Sequence, residues 1–423
     1  MPNNRPQIAA IFTVMRFRSH AYDFLENFRD PYLFNGELVD PGVDVVSFYA
    51  DQRSGEGDML DEARAKFDVP LYDSIEGALC LGGDTLAVDA VLAIGEHGDY
   101  PFNPRLQHMY PRKRFFDEAV AVMQRSGRVV PYFSDKHFSY RWDWISEMAA
   151  TAKQLGMPMM GGSSVPLAQR IPVTEIPANA EIQEAVTIHG GGLESYDFHG
   201  LEILQSLVEG RKGGESGLSS VQVVQGRYLR DAIESGRLSP ELIDAAMRAE
   251  LGREVDIFRS VDGDSSGELS PAAEPYALLL DYADGFKAAV LRIGSNGNRW
   301  NAAFKLKGES SPQAFRYYNG PWGNRNLFKA LSHAIQHLFI TGEEPYPTAR
   351  TVLTSGILTA SMESYIQGGV KIATPFLETP YAPQDFKAFR EMGDSWKILN
   401  KETPEPKDFR PGFDVEIVEG LKK

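Results

Sequence analysis

Residues 88–100 read VDAVLAIGEHGDY, and this stretch decides how the rest of the chain is interpreted. The apolar run Val88 to Ile94 is typical of a parallel strand that is buried on both faces. The run ends at a glycine, and Glu96, His97 and Asp99 follow it. In an open α/β sheet, ligands bind outside the carboxyl ends of the strands. This strand end is therefore the first candidate for chemistry, and a polar loop with a hydrogen-bonded histidine is the alternative.

Strand-like and helix-like segments alternate on both sides of this stretch. Further apolar runs predict strands at Ile8 to Met15, Val43 to Tyr49, Arg128 to Phe133 and Met157 to Met160. Amphipathic segments predict helices at Ser74 to Leu81, Phe115 to Ser126 and Tyr140 to Leu155. Such alternation indicates a parallel sheet with right-handed crossovers. Residues 1–165 are therefore predicted to form a doubly wound α/β domain.

The second half of the sequence has its predicted strands clustered together. They lie at Ile182 to Ile188, Leu218 to Gly226, Ala277 to Tyr282, Phe286 to Ile293, Asn301 to Lys307 and Ala314 to Tyr318. Helices are predicted at His199 to Val208, Pro240 to Ala249, Leu327 to Phe339 and Arg350 to Ile366. This pattern predicts an α+β domain over residues 166–380, with helices on one face of a mostly antiparallel sheet. The other face of this sheet would be covered by assembly into a homodimer or homotetramer. Residues 381–423 are rich in proline and charge and are expected to wrap the surface.

Composition restricts the classes of function. The chain has 423 residues with a formal net charge of −15, which opposes non-specific binding to nucleic acid or anionic membranes. Cys80 is the only cysteine, so an internal disulfide and a cysteine-rich zinc site are excluded. No apolar run reaches the roughly 18 residues of a membrane span. We expect a cytoplasmic protein with a small-molecule substrate.

The order of the elements resembles the glucose–fructose oxidoreductase/inositol dehydrogenase (Gfo/Idh/MocA) family over most of the chain. Residues 61–76 (DEARAKFDVPLYDSIE) are similar to one stretch of the family. Residues 134–137 (SDKH) resemble its Glu-Lys-Pro motif, and residues 195–202 (SYDFHGLE) resemble its D-x-G-x-H-x-x-D motif. The resemblance implies a Rossmann-type domain that binds NAD or NADP, and an oxidoreductase acting on a sugar or polyol. It implies Lys136 and His199 as the acid–base pair, although His137 and Ser195 depart from the two motifs.

The phosphate-binding loop departs from the family more strongly. The family has G-x-G-x-x-G after its first strand, and the corresponding positions here are Phe12, Val14 and Phe17. Glycines allow the backbone to approach the pyrophosphate, so the dinucleotide site is expected to be atypical or lost. An arginine side chain could bind phosphate instead, and an acidic residue after the second strand could bind a ribose hydroxyl. On these grounds the candidate cofactor-binding residues are Thr13, Arg16, Arg18 and Asp51.

Three hypotheses for function remain open. The first is a nicotinamide-dependent sugar dehydrogenase in which Glu96, His97 and Asp99 orient the substrate or share proton transfer. The second is a non-redox lyase, isomerase or hydrolase, with or without a divalent metal. The sequence has no known metal-binding spacing. If a metal is bound, its candidate ligands are Glu96, His97, His137 and His189. The third is a catalytically silent sugar-binding protein. Residues 262–268 (DGDSSGE) look like the start of a calcium loop, but the position that requires Glu holds Ala273, so a surface turn is expected.

Overall fold

The structure is a computed structural model and describes residues 5–253 and 274–421. The calcium-like segment at residues 262–268 lies outside the described residues. The strands of the first half are β1 (Gln7–Phe12), β2 (Tyr32–Phe34), β3 (Glu37–Val39), β4 (Asp44–Ala50), β5 (Leu71–Tyr72), β6 (Ala90–Ile94), β7 (Tyr132–Asp135) and β8 (Met159–Gly162). Six of them form a parallel sheet in the order β5-β4-β1-β6-β7-β8, and β2 and β3 form a hairpin. The doubly wound domain is therefore confirmed.

A second sheet of eight strands is formed mainly by the second half of the chain. Its strands are β9 (Gln169–Ile171), β10 (Ile182–His189), β11 (Leu218–Gln225), β12 (Tyr276–Tyr282), β13 (Lys287–Arg292), β14 (Trp300–Leu306), β15 (Gln313–Tyr318) and β16 (Ile372–Ala373). The order is β16-β11-β12-β13-β10-β14-β15-β9, and every pairing except β10 with β13 is antiparallel. The mostly antiparallel α+β arrangement is confirmed, and the strand bounds differ from the predicted ones by one or two residues.

Helices connect and cover both sheets. In the first half they span His20–Leu25, Leu60–Phe67, Ile75–Cys80, Arg112–Ser126 and Trp142–Leu155. In the second half they span Ser195–Val208, Arg227–Glu234, Pro240–Leu251, Asn324–Thr341, Thr348–Ile366, Ser395–Ile398 and Phe413–Leu421. Short 3₁₀ turns lie at Val165–Leu167, Pro375–Leu377 and Lys387–Phe389. Over the described ranges, none of these helices is both long and apolar enough to cross a membrane.

The outer face of the second sheet is covered by the chain itself. Helices Arg227–Glu234 and Pro240–Leu251 bury one apolar cluster with the side chains of that face, among them Leu229, Ile243 and Leu291. The helix Arg227–Glu234 was not predicted from sequence. An uncovered sheet face was the reason for expecting a homodimer or homotetramer. Because helices of the same chain pack on that face, this reason no longer applies, and oligomerisation stays a prediction.

The C-terminal segment returns to the first half of the chain. Phe409 is fully buried, with its ring 5.6 Å from that of Tyr22. The carboxylate of Asp414 accepts a hydrogen bond from the backbone N of Leu33 at 2.7 Å and pairs with Lys329. The segment packs against the N-terminal half with buried side chains, more closely than a surface wrap implies. The boundaries 1–165, 166–380 and 381–423 themselves stay predictions.

Candidate functional site

Glu96 lies at the carboxyl edge of the first sheet, directly after β6 and its glycine. Its buried carboxylate accepts a hydrogen bond from Nζ of Lys136 at 2.9 Å and forms an ion pair with Arg112. Burial acts to raise the pKa of Glu96, but the charges of Lys136 and Arg112 outweigh it and hold the pKa well below its usual range. These three residues, the Glu96 cluster, are therefore one fixed anion between two cations.

Lys136 is positioned by a strained turn at the end of β7. Its backbone has φ 58°, a left-handed conformation that costs a non-glycine residue about 1–3 kcal/mol. The backbone N of Gly162, on the neighbouring strand, donates to the carbonyl of Lys136 at 3.1 Å. The predicted strand Arg128 to Phe133 is displaced to Tyr132–Asp135, so Lys136 follows the strand end immediately. Two of the predicted catalytic residues, Lys136 and Glu96, are thus in direct contact.

His97 lies beside the start of the helix His20–Leu25. Its Nδ1 accepts a hydrogen bond from the backbone N of His20 at 3.3 Å, and the two rings are 4.8 Å apart. Burial and the neighbouring His20 lower the pKa of His97 to about 3, so its imidazole is neutral at neutral pH. His20 in turn contacts Asp135 through Nδ1 at 2.6 Å. Asp99 is exposed, and its backbone N and O are both hydrogen-bonded to the side chain of Gln52.

His199 lies in the first turns of the helix Ser195–Val208, which starts four residues before its predicted start. Its Nδ1 lies 2.5 Å from Oγ of Ser163, which follows β8 of the first sheet. Burial and the charge of Lys136 lower the pKa of His199 well below its usual range. Among the described residues none is hydrogen-bonded to Nε2 of His199. When Nδ1–H donates to Ser163, Nε2 therefore carries a free lone pair.

An aromatic wall stands next to His199. The rings of Tyr196 and Trp300 stack at 5.0 Å with an interplanar angle of 10°. The His199 ring meets Trp300 edge-on at 5.2 Å. Trp300 is buried and Tyr196 is half-buried, so of the two rings only that of Tyr196 is partly exposed. Trp300 belongs to β14 of the second sheet and Tyr196 to the helix Ser195–Val208, whereas the Glu96 cluster belongs to the first sheet.

The four residues predicted as ligands of a possible metal each have other partners within the chain. Both nitrogens of His189 have partners, since Nε2 lies 3.0 Å from Asp197 and Nδ1 accepts the backbone N of Gly191 at 3.3 Å. His137 contacts Arg112 at 3.2 Å, while Glu96 and His97 have the partners given above. Within residues 5–253 and 274–421, no group of three or more His, Cys, Asp or Glu side chains is arranged to hold a metal ion.

Three of the four predicted cofactor-binding residues, Thr13, Arg18 and Asp51, have side-chain partners within the chain. The hydroxyl of Thr13 donates to the carbonyl of Glu96 at 2.5 Å. The side chain of Arg16 is exposed, and Arg18 donates to both oxygens of Glu405. Asp51 accepts hydroxyl hydrogen bonds at 2.6 Å from Tyr49 and Tyr100 and pairs with Arg114. They lie along one sheet edge, but Arg18 and Asp51 are not free to bind a phosphate or a ribose.

Comparison with known proteins shows the fold of the chain. The sequence matches no protein-family model and no curated protein. Among solved structures, GenD2 from gentamicin A biosynthesis in complex with NAD aligns with a TM-score of 0.54 at 12% identity, covering 87% of this chain and 96% of that one. A myo-inositol dehydrogenase from Lactobacillus casei, in complex with NAD(H) and myo-inositol, aligns with a TM-score of 0.53 at 13% identity, covering 90% and 99%. An Agrobacterium radiobacter oxidoreductase with NAD⁺, L-tartaric acid and magnesium aligns at 0.53 and 12%, covering 88% and 98%.

The chain has the Gfo/Idh/MocA fold. The Lactobacillus casei protein is a dehydrogenase and the Agrobacterium radiobacter protein is an oxidoreductase. The resemblance found in the sequence is confirmed at the level of fold. In such a fold a dinucleotide crosses the carboxyl edge where the strand order reverses, here at β1 and β6, with its pyrophosphate at the start of the first helix.

The loop between β6 and the helix Arg112–Ser126, which we call the 95–111 loop, makes hydrogen bonds along this crossing point. At the helix start, the backbone N of His20 already donates to His97 of this loop. Farther along the edge, Gln52 donates to the carbonyl of Asp99 at 3.0 Å and accepts its backbone N at 2.8 Å. The side chains of Val14 and Met15 are buried in the turn after β1. In this arrangement the residues present do not fit a dinucleotide in a Gfo/Idh/MocA groove.

Two residues of the site were not among the predicted catalytic groups. Arg112 is the first residue of the helix after the 95–111 loop, and its side chain reaches back to Glu96. Glu194 precedes the helix that carries His199, and its carboxylate lies 3.7 Å from Nε2 of His137. The Glu-x-x-Asp spacing of Glu194 and Asp197 is the sequence signal that could have marked this helix start.

Proposed function

We propose that this protein is an enzyme that acts on a sugar or polyol by proton transfer, without net oxidation, between the two sheets. Reactions of this type include isomerisation and elimination next to a carbonyl. The observation that carries the proposal is the geometry of His199, whose Nδ1 is tethered to Ser163 and whose Nε2 has no hydrogen-bonding residue in the described chain. The lowered pKa of His199 keeps the imidazole neutral, and so open to a proton, although it also makes the imidazole a weaker base. Such an imidazole can take a proton from the substrate at Nε2 and return it.

The Glu96 cluster would supply the charge that this step needs. Removing a proton from a carbon or hydroxyl group leaves negative charge on a substrate oxygen. The ammonium of Lys136 is one source of compensation, and its electrostatic effect reaches His199. Glu96 keeps that ammonium in place without help from solvent, because the pair is buried. The role of Lys136 is thus to stabilise the oxyanion, and that of Glu96 is to position Lys136.

A carbohydrate or polyol is favoured as substrate by the solved structures with the same fold. They include a myo-inositol dehydrogenase in complex with myo-inositol and GenD2 from gentamicin A biosynthesis. The half-buried ring of Tyr196 beside His199 is compatible with such a substrate.

The proposal is tested by deuterium exchange, because proton transfer can be detected before any product is known. The protein is incubated in D₂O with a panel of aldoses, ketoses and inososes, and ¹H NMR records the loss of signal next to each carbonyl. We expect exchange with at least one member of the panel. His199→Ala should reduce its rate by about 100-fold or more, while the control His337→Ala, on the helix Asn324–Thr341, should not. Exchange that is equally fast in His199→Ala would overturn the proposal.

A second candidate, a nicotinamide-dependent oxidoreductase, is favoured by the NAD-bound solved structures that share the fold. It requires the 95–111 loop to leave the groove, which breaks the contacts of His97 and Asp99. Reduction of NAD or NADP with the same panel, followed by absorbance, would identify it.

A further inference from the structure

Glu194 is held in a strained backbone conformation at the boundary between the two sheets. Its φ of 65° and ψ of −68° are unusual for a residue with a side chain and cost about 1–3 kcal/mol. The backbone N of Glu194 donates to Asp197 at 2.8 Å. Asp197 is itself held by His189 and by the hydroxyl of Tyr276. The conformation is therefore imposed by a buried network, as is typical of functional positions.

The carboxylate of Glu194 is buried but incompletely satisfied. Its Oε2 accepts a hydrogen bond from the backbone N of His108 at 3.2 Å. Its Oε1 has no hydrogen-bond partner in the described chain and lies 3.7 Å from Nε2 of His137. A buried carboxylate oxygen without a partner carries a desolvation penalty, which a bound polar molecule would remove.

Further unsatisfied atoms lie on the residues around Glu194. They are Nδ1 of His137, Nε of Arg112 and Nε2 of Gln107, all buried and without a hydrogen-bond partner in the described chain. Arg112 and His137 are in contact at 3.2 Å, and Gln107 directly precedes His108. A hydroxylated ligand can both donate to a carboxylate and accept from nitrogen donors, so this cluster has the chemistry of a sugar subsite.

We infer that Glu194 is a second proton-transfer residue of the cleft, acting on the sugar or polyol together with His199. The inference rests on the proposed function. The Glu194 carboxylate takes a proton from a hydroxyl group or C–H bond of the substrate, whose electron pair stays on the substrate. Protonated Glu194 then returns the proton to a neighbouring carbon or oxygen, so no oxidant is needed. The 95–111 loop contributes His108 and Gln107 to this site.

The electrostatics agree with this role. Burial raises the pKa of Glu194 to about 7, against the lowering effects of the His108 hydrogen bond and of Arg112. An acid–base group is most effective when its pKa lies near the working pH. The charged and titratable groups that face it from the packed elements are Glu96, His108, Arg112, Lys136, His137 and Asp197.

The first test needs no substrate. Full-length protein labelled with [δ-¹³C]glutamate is titrated by NMR, and wild type is compared with Glu194→Gln and with the exposed control Glu402→Gln. We expect one carboxyl resonance that titrates near pH 7 and is lost only in Glu194→Gln. If every resonance near pH 7 survives in Glu194→Gln, the inference is overturned, whatever the fate of the proposed function.

The second test uses the deuterium exchange reaction. Glu194→Gln should lower the exchange rate by about 100-fold and remove the limb of the pH profile near neutrality, while Glu194→Asp restores part of both. A rate that depends on His199 but not on Glu194 would overturn the inference and leave the proposed function standing. Unfolding midpoints of all variants are measured alongside, so that loss of folding is recognised.

Discussion

Replacing Glu96 by Gln should be one of the most damaging single changes in the N-terminal domain. The substitution keeps the shape of the side chain but leaves Lys136 and Arg112 buried as two unpaired cations. Breaking a buried ion pair in this way costs about 3–5 kcal/mol. Since domains are stable by only about 5–15 kcal/mol, this is a large share of the total.

Equilibrium unfolding in urea measures the effect, with tryptophan fluorescence and far-UV circular dichroism as independent probes. The matched control is Asp89→Asn, which breaks the ion pair of Asp89 with Arg128 at the surface. Such an exposed pair contributes about 1 kcal/mol or less. If Glu96→Gln costs no more than Asp89→Asn, the description of the Glu96 cluster is wrong.

The difference in unfolding free energy between wild type and Glu96→Gln should also depend on pH. The pKa of Glu96 in the folded protein lies well below its value of about 4.3 in an unfolded chain. Its contribution to stability is therefore complete above about pH 5 and is lost as the pH falls below about 4 toward the folded pKa. The stability gap between wild type and Glu96→Gln should narrow over that range. A gap that widens on acidification would contradict the sign of the shift.

Three further predictions follow from packing. Cys80 is buried and burial raises the pKa of its thiol, so it should resist a disulfide reagent at pH 8 in native protein and react fully in denaturant. Gly190→Ala should cost about 1–3 kcal/mol in urea unfolding, because its Cβ would lie 2.4 Å from the backbone oxygen of Asn296, whereas Gly192→Ala should change little. Phe409→Ala should lower stability by about 3–5 kcal/mol, which thermal denaturation would show as a clear decrease in melting temperature.

The contact between Lys136 and Glu96 could be anticipated from the sequence, because both follow buried parallel strands. Carboxyl ends of neighbouring strands meet at one edge, so their loops converge. The apolar runs predicted most strands of both sheets, although β7 is displaced along the chain and β2, β3, β9 and β16 were not predicted. The predicted run Ile8 to Met15 was too long, since β1 ends at Phe12 and the next three residues enter the turn.

The contacts of the 95–111 loop could not be predicted in the same way. The hydrogen bonds of Gln52 with Asp99 and of His20 with His97 join residues that are far apart in sequence. No periodicity encodes such contacts, which depend on how a long loop folds against an edge. The missing glycines at Phe12 and Val14 predict only that the phosphate loop departs from the family's pattern. The helix Arg227–Glu234 was missed because it is short and lies in a polar stretch.

Our central proposal is that the chain keeps a Gfo/Idh/MocA fold and an acid–base site, while the contacts of its own 95–111 loop keep a dinucleotide out of the groove. Titration of the purified protein with NADH and NADPH, followed by calorimetry, tests it most directly. We predict no saturable binding up to about 1 mM of either nucleotide. Stoichiometric binding with a dissociation constant near about 1 μM would contradict the claim and favour the oxidoreductase.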